Sequence, residues 1–211
     1  MARSALARLA RLGRRIRGID EHARTFDRYY RSDVWLGGGS GSGSTPEVTA
    51  SYRQFLTNFI KQHDVKSVVD LGCGDWQFSR MLDWTGIDYV GIDVSKVVLK
   101  NTSAFARPGI QFIEMNGVTG SVPGADLLIL KDVIQHWTNE DIHRFIPSLN
   151  KFKYALITNG SHIGSCTTNT PNVVGGCRQV DLTAAPFDLP GEYIFEFRAD
   201  EPKITFLWSR A

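Results

Sequence analysis

The stretch SVVDLGCGD, residues 67–75, decides how this chain folds. A β-branched run that ends in two closely spaced glycines reads as a buried strand entering a tight turn. Phe78, Met81 and Leu82 then recur at helical spacing, and YVGIDV (89–94) supplies a second strand. A helix around 97–104 leads to IQFIEM (110–115) and then to DLLILK (126–131). Thr138, with Asp141 three positions on, forms a capping box for a helix through Ile142, Phe145, Ile146 and Leu149, kinked at Pro147. YALITNG (154–160) is the fifth apolar run. This alternation predicts an α/β fold: a doubly wound, mostly parallel sheet with helices on both faces and ligands at the carboxyl ends of the strands.

Towards the C-terminus the alternation stops. EYIFEFRA (192–199) and KITFLWSR (203–210) are joined by only Asp200, Glu201 and Pro202, too few residues for a parallel return, so the sheet ends in an antiparallel hairpin. On the other side, Thr45 as cap, Pro46 and Glu47 open a helix carrying Val48, Tyr52, Phe55, Leu56, Phe59 and Ile60. The preceding WLGGGSGSGS (35–44), with Phe26, Tyr29, Tyr30 and Arg31 before it, reads either as a flexible linker or as an aromatic lid beside a site. The chain thus divides into a tail (1–18), a lid or linker (19–46) and a folded domain (47–211).

The 211 residues are 42% hydrophobic and 22% charged, which suits one core and excludes long disorder. Three cysteines, Cys73, Cys166 and Cys177, do not make a secreted disulfide framework and favour the reducing cytoplasm. No apolar run has the length of a membrane span. Six of the 24 basic residues (Arg3, Arg8, Arg11, Arg14, Arg15 and Arg17) lie in the tail, leaving 18 against 22 acidic residues elsewhere. An acidic body is a poor footprint for nucleic acid, so no nucleic-acid partner is expected. On a helical projection Leu6, Leu9, Leu12 and Ile16 oppose the arginines. The tail therefore reads either as a peripheral contact with an anionic membrane or as a solvated helix.

Glycines at 72 and 74 let backbone approach a ligand closely, and Asp93, ending the second strand, suits the vicinal hydroxyls of a ribose. Gln77 stands where a dinucleotide site has its third glycine, and Asp70 would repel a pyrophosphate but suits a cationic amino end. VVDLGCGD, YVGIDV and ADLLILKDVIQHW resemble the first, second and fourth motifs of the class I S-adenosylmethionine-dependent methyltransferases. The resemblance spans about residues 65–160 and implies a Rossmann-like sheet of seven strands, one of them antiparallel. It implies S-adenosylmethionine as cofactor and S-adenosylhomocysteine as product. In that scheme Asp70 organises the amino end, Gly72 and Gly74 line the methionine and ribose portion, and Asp93 binds the ribose. Val94 packs on adenine, and the amide oxygen of Asn116 accepts from the adenine amine. Cys73, Asp75, Gln77, Gly117 and Lys131 complete the expected cofactor set.

A hydroxyl acceptor must lose a proton, and the carboxyl end of the fourth strand gathers Lys131, Asp132, Gln135, His136 and Trp137. His136 is the expected base, with an anchor for the turn as its alternative; Asp132, one helical turn earlier, would orient it. Asp132 with His136 would otherwise be half of a metal site, but no third ligand has a matching spacing and no metal is expected. His162 is a second candidate for the base, while His22, His63 and His143 read as ordinary surface or core residues. Tyr30, Trp35, Trp137, His162 and Arg178 are the expected acceptor contacts, Arg178 as partner of an anionic group. The lead-in WLGGGSGSGS, VVDLGCGDWQFSR and VDLTAAPFDLP are similar to small methyltransferases of glycan modification, which implies O-methylation of a sugar hydroxyl. Another small molecule, a lipid or a protein acceptor remains compatible with these residues, as does a cofactor-binding partner subunit without turnover.

Overall fold

The computed structural model describes residues 20–35, 39–160, 168–199 and 201–210. The basic tail, His162 and Cys166 lie outside the described residues. Five strands, β1 (Ser67–Leu71), β2 (Asp88–Asp93), β3 (Ile110–Glu114), β4 (Ala125–Lys131) and β5 (Phe152–Gly160), pair in parallel. The hairpin of β6 (Glu192–Arg198) and β7 (Pro202–Ser209) completes a seven-stranded sheet in the order β3-β2-β1-β4-β5-β7-β6. Only β7 runs against the rest, as the hairpin and the resemblance require.

The central strands are apolar on both faces because both faces are covered. Along β4 the side chains of Leu127 to Leu130 are fully buried and alternate between two cores. Leu128 and Leu130 meet Ile142 and Phe145 of a helix at Asn139–Phe145. Leu127 and Ile129 share the other core with Tyr52, Leu56 and Phe59 of a helix at Ala50–Gln62. Burying each such side chain contributes about 1.5–3 kcal/mol before the entropy of ordering is counted. In chain order the helices are α1 (Glu21–Arg31), α2 (Ala50–Gln62), α3 (Lys96–Thr102) and α4 (Asn139–Phe145). The Thr138 capping box of α4 forms as its spacing predicts, with Asp141 N–H donating to Thr138 Oγ1 at 3.1 Å.

Three local expectations are corrected. No α-helix follows β1: only a 3₁₀ turn, Ser79–Met81, forms. The Ser79 carbonyl accepts from the Leu82 N–H and from Trp84 Nε1, so no α-helical ladder continues. Met81 is consequently exposed while Phe78 and Leu82 are buried. Helix α2 begins at Ala50 rather than at Pro46, because Thr45 caps a separate turn closed by Thr49 N–H to Thr45 O at 3.1 Å. The helix expected to kink at Pro147 instead ends at Phe145 and tightens into a 3₁₀ run, Ile146–Lys151, which has proline near its start.

Candidate active site

Parallel strands bring their carboxyl ends to one edge of the sheet, and a cavity of about 400 Å³ opens there. That size falls within the range of small-molecule sites. The turn after β1, the ends of β2 and β3, and the segment after β4 all contribute walls. Because β7 runs the other way, its first residues reach the same edge, with Lys203 opposite Gly160 of β5. Helix α1 and residues 40–44 complete the enclosure.

One half of the cavity is built around two carboxylates. Asp93 is buried and accepts from Gly74 N–H at 3.0 Å and Ser95 N–H at 2.8 Å. Asp75 receives Gln77 Nε2 at 2.7 Å on Oδ2, while its buried Oδ1 has no hydrogen-bond partner. An unpaired acceptor there suits an ammonium, and the remaining lone pairs of Asp93 suit paired hydroxyls. The residues present therefore fit S-adenosylmethionine, with Asp75 at its amino end and Asp93 at its ribose. Gly72, Cys73, Gln77, Val94, Gly117 and Lys131 border the cavity as expected.

Burial pushes the Asp93 carboxyl up to about 6, against the pull of its backbone donors. A folded value above the unfolded one makes ionisation costly, so the ligand-free protein loses stability as the pH rises from about 4 to 6. Hydroxyl donors favour the ionised form. S-adenosylhomocysteine affinity should therefore rise about tenfold between roughly pH 5 and 7, with proton release, when followed calorimetrically. The Asp93→Asn variant should bind weakly and lose that slope, whereas a flat profile in the parent protein would remove Asp93 from the ribose.

Three cofactor expectations change. Gly74 does not border the cavity, and its N–H is given to Asp93. Asp70 does not border the cavity; it is buried beneath the turn, where Ser79 Oγ and Tyr89 Oη donate to it. It braces β1 against β2, and Asp75 is the nearby carboxylate that does border the cavity. Asn116 does border the cavity, but its amide oxygen accepts from Val118 N–H at 2.8 Å and Thr119 N–H at 3.3 Å and is not aimed at an adenine amine. Its Nδ2 donates to both oxygens of Asp20, at 3.0 and 2.9 Å. Asp20 is in turn the N-cap of α1, so this pair seats that helix over the site. Asp27 holds the next turn, accepting from Ser95 Oγ at 2.8 Å and Val97 N–H at 3.3 Å.

Residues 39–44 of the glycine-rich run are packed against the site. Ser40 N–H donates to Asp75 Oδ2 at 3.3 Å, Ser40 Oγ accepts from Asp75 N–H at 3.2 Å, and Lys131 Nζ donates to Gly43 O at 3.0 Å. A Cβ at Gly39 would fall 1.8 Å from Asp75 Oδ2. Tyr30 and Trp35 border the cavity as expected, packed edge-on with ring centroids 5.2 Å apart.

The other half of the cavity is a charged network beside a histidine. Asp132 has a left-handed backbone, φ 57°, which precludes the expected helical turn to His136. Its carboxylate turns instead to Lys131 Nζ and to Lys203 Nζ, the latter at 2.9 Å. Lys203 also donates to Glu201 Oε1 at 2.7 Å. Burial works to raise the Asp132 carboxyl, but the two ammonium groups outweigh it and hold it below the ordinary range. Asp132 is thus a fixed counter-ion and a poor proton acceptor.

His136 Nδ1 lies 2.8 Å from Gly176 O. A carbonyl only accepts, so Nδ1 carries the proton and Nε2 keeps its lone pair, beside Gln135 Nε2 at 3.4 Å. Burial lowers the imidazole below its ordinary value and keeps it neutral. Trp137 adds an aromatic wall, whereas Arg178 does not border the cavity and donates from Nη2 to Trp137 O at 3.1 Å. His22, read from sequence as ordinary, borders the cavity with Nε2 3.3 Å from Asp141 Oδ2. Sequence reasoning missed Glu201 and Lys203 as cavity residues, both distant in the chain from the glycine motif. Among the described residues no cluster of three His, Cys, Asp or Glu is placed to hold a metal, and no helix is long and apolar enough to cross a membrane.

A family model described as an O-methyltransferase domain matches residues 42–163, more than half of the chain. Among solved structures, the magnesium protoporphyrin IX methyltransferase of Synechocystis PCC 6803, with bound S-adenosylmethionine, is similar at TM-score 0.62 and 14% identity. That match covers 92% of this chain and 99% of the other. Human N-acetylserotonin methyltransferase, in complex with S-adenosylmethionine, matches at TM-score 0.59 and 14% identity over 79% of this chain and 53% of the other. The bifunctional kinase-methyltransferase WbdD matches at TM-score 0.58 and 18% identity over 76% of this chain and 39% of the other. At such identities the structural likeness speaks for the fold.

Proposed function

The chain belongs to the O-methyltransferase domain family and is an S-adenosylmethionine-dependent methyltransferase, and on that premise we propose that it methylates a hydroxyl of a sugar or glycan with His136 as general base. The observation that carries this reading is the His136 ring, fixed on the wall of the cavity with its Nε2 unprotonated beside the Gln135 amide. Bound S-adenosylmethionine supplies a methyl group already activated on a sulfonium. The chain's own part is to align the acceptor and remove its proton. Nε2 takes the hydroxyl proton as the acceptor oxygen forms its bond to the methyl carbon, and the carbon–sulfur bond electrons return to sulfur. Gln135, Asp132, Glu201 and Lys203 set donors and acceptors side by side next to the Trp137 ring, an arrangement that suits a polyol with one apolar face.

Residues 1–18, with six arginines of which Arg8, Arg11, Arg14 and Arg15 oppose the apolar positions on a helical projection, support attachment to an anionic membrane surface on the cytoplasmic side, where a membrane-associated glycan would be presented. The test is to incubate the full chain with methyl-labelled S-adenosylmethionine and a panel of deoxysugars, oligosaccharides, lipid headgroups and peptides, then to identify methylated product by mass spectrometry. Methyl ethers should form on sugars. Product on lipid or peptide alone would overturn the acceptor class.

A further inference from the structure

We propose that Tyr29, on α1, is a positioning residue that sets the tautomer of His136 by holding Gly175, the residue before the Gly176 carbonyl that faces the ring. The inference rests on the reading of His136 as base for its functional meaning, but its geometry is independent of any acceptor.

Three successive carbonyls after β4 are held by one returning segment. Asn172 Nδ2 donates to Gln135 O at 3.0 Å, Gly175 N–H to His136 O at 2.9 Å, and Arg178 Nη2 to Trp137 O at 3.1 Å. The same segment supplies the Gly176 carbonyl that accepts from His136 Nδ1. The Gly175–Gly176 pair therefore grips His136 at both backbone and ring, and which ring nitrogen is protonated depends on where one carbonyl points.

The carbonyl one residue before it, Gly175 O, is held from above by α1. Tyr29 Oη donates to Gly175 O at 3.0 Å, across 146 positions of sequence. Gly175 has φ +81°, and a Cβ there would stand 2.4 Å from Thr25 Cγ2, so the helix is seated directly on glycine backbone. Phe26, between these residues, sets its ring edge-on to the His136 ring at 5.7 Å. One turn of α1 thus presses on the peptide, the ring and the space around it. The remaining clamps of α1, Asp20 to Asn116 and Asp27 to Ser95, fix the helix but do not touch His136.

The charged groups bearing on His136 are Asp132 and Lys203, and α1 brings His22 and Tyr30 to the same cavity. None of these is altered in the test. The full chain, ¹⁵N-labelled at histidine and saturated with S-adenosylhomocysteine, is compared with Tyr29→Phe and Gly175→Ala by imidazole ¹⁵N spectroscopy across pH. In the parent protein Nδ1 should carry the proton and the titration midpoint should lie below 6.5. Loss of one hydrogen bond in Tyr29→Phe should shift the tautomer ratio towards Nε2–H by about three- to tenfold and lower the midpoint further, because the carbonyl that supports the protonated ring is less firmly held, with S-adenosylhomocysteine affinity unchanged. Gly175→Ala should move both readings the same way by displacing α1. An unchanged ratio and midpoint in both variants would overturn the proposal. Should the ratio move while His136→Gln keeps full turnover, the positioning stands and the base assignment falls.

Discussion

Replacing His136 by glutamine is expected to cut methyl transfer by about 10²- to 10⁴-fold while S-adenosylhomocysteine affinity stays within about twofold. Glutamine keeps much of the volume and a donor for Gly176 O, but offers no lone pair of comparable basicity. The carboxylates assigned to the cofactor, Asp75 and Asp93, sit at the other half of the cavity, so binding and turnover should separate cleanly. Burial keeps the parent imidazole neutral below its ordinary range, so activity should persist as the medium becomes mildly acidic. Initial rates and calorimetric titration on the same preparation check both halves. Full turnover in the variant would move proton acceptance to another group, and His162 would be the next residue to change, since Asp132 is committed to two lysines.

Asp132→Asn tests that commitment through stability. Lys131 and Lys203 are 6% and 4% exposed, and both pair with Asp132, Lys203 having Glu201 as a second partner. Neutralising it leaves two ammonium groups close together with their shared counter-ion gone, and breaking a buried pair in this way costs about 3–5 kcal/mol. For a chain of this size the melting temperature should fall by roughly 10 °C. Adding Lys203→Met should recover part of the loss, because one buried charge then goes with its partner. Since the folded value of Asp132 is depressed, its contribution is complete above the unfolded value near 3.9 and disappears as the pH falls through the lower folded value. A melting temperature unchanged by Asp132→Asn would show that the network does not depend on this charge.

What the sequence made legible was local or periodic. The β-branched runs, the Thr138–Asp141 cap and the antiparallel pairing of the last two strands each depend on neighbours in the chain, and each formed. Gly72, Gly74 and Asp93 were legible because a turn at a strand end restricts residue type. The expected helix at Phe78 failed because spacing alone does not reveal that Trp84 claims the Ser79 carbonyl. Asn116 was misread because an amide offers two faces, and backbone donors two and three residues on had already taken the oxygen. Lys203 and Glu201 were missed for a topological reason: an antiparallel strand delivers its beginning, not its end, to the ligand edge. The seat of α1 lay further out of reach, resting on contacts such as Tyr29 to Gly175 that no periodicity encodes.

The glycine-serine run bears on where this enzyme can be cut. Its composition advertises a spacer, and the family match begins inside it at residue 42, so a minimal fragment drawn by either rule would start there or just after. Such a fragment would keep every motif glycine yet discard Ser40, which braces Asp75, and Tyr29, which anchors on Gly175. Smallness at Gly39 and Gly175 is a requirement of fit, and a fragment that is to keep these contacts has to include the chain from Asp20 onward.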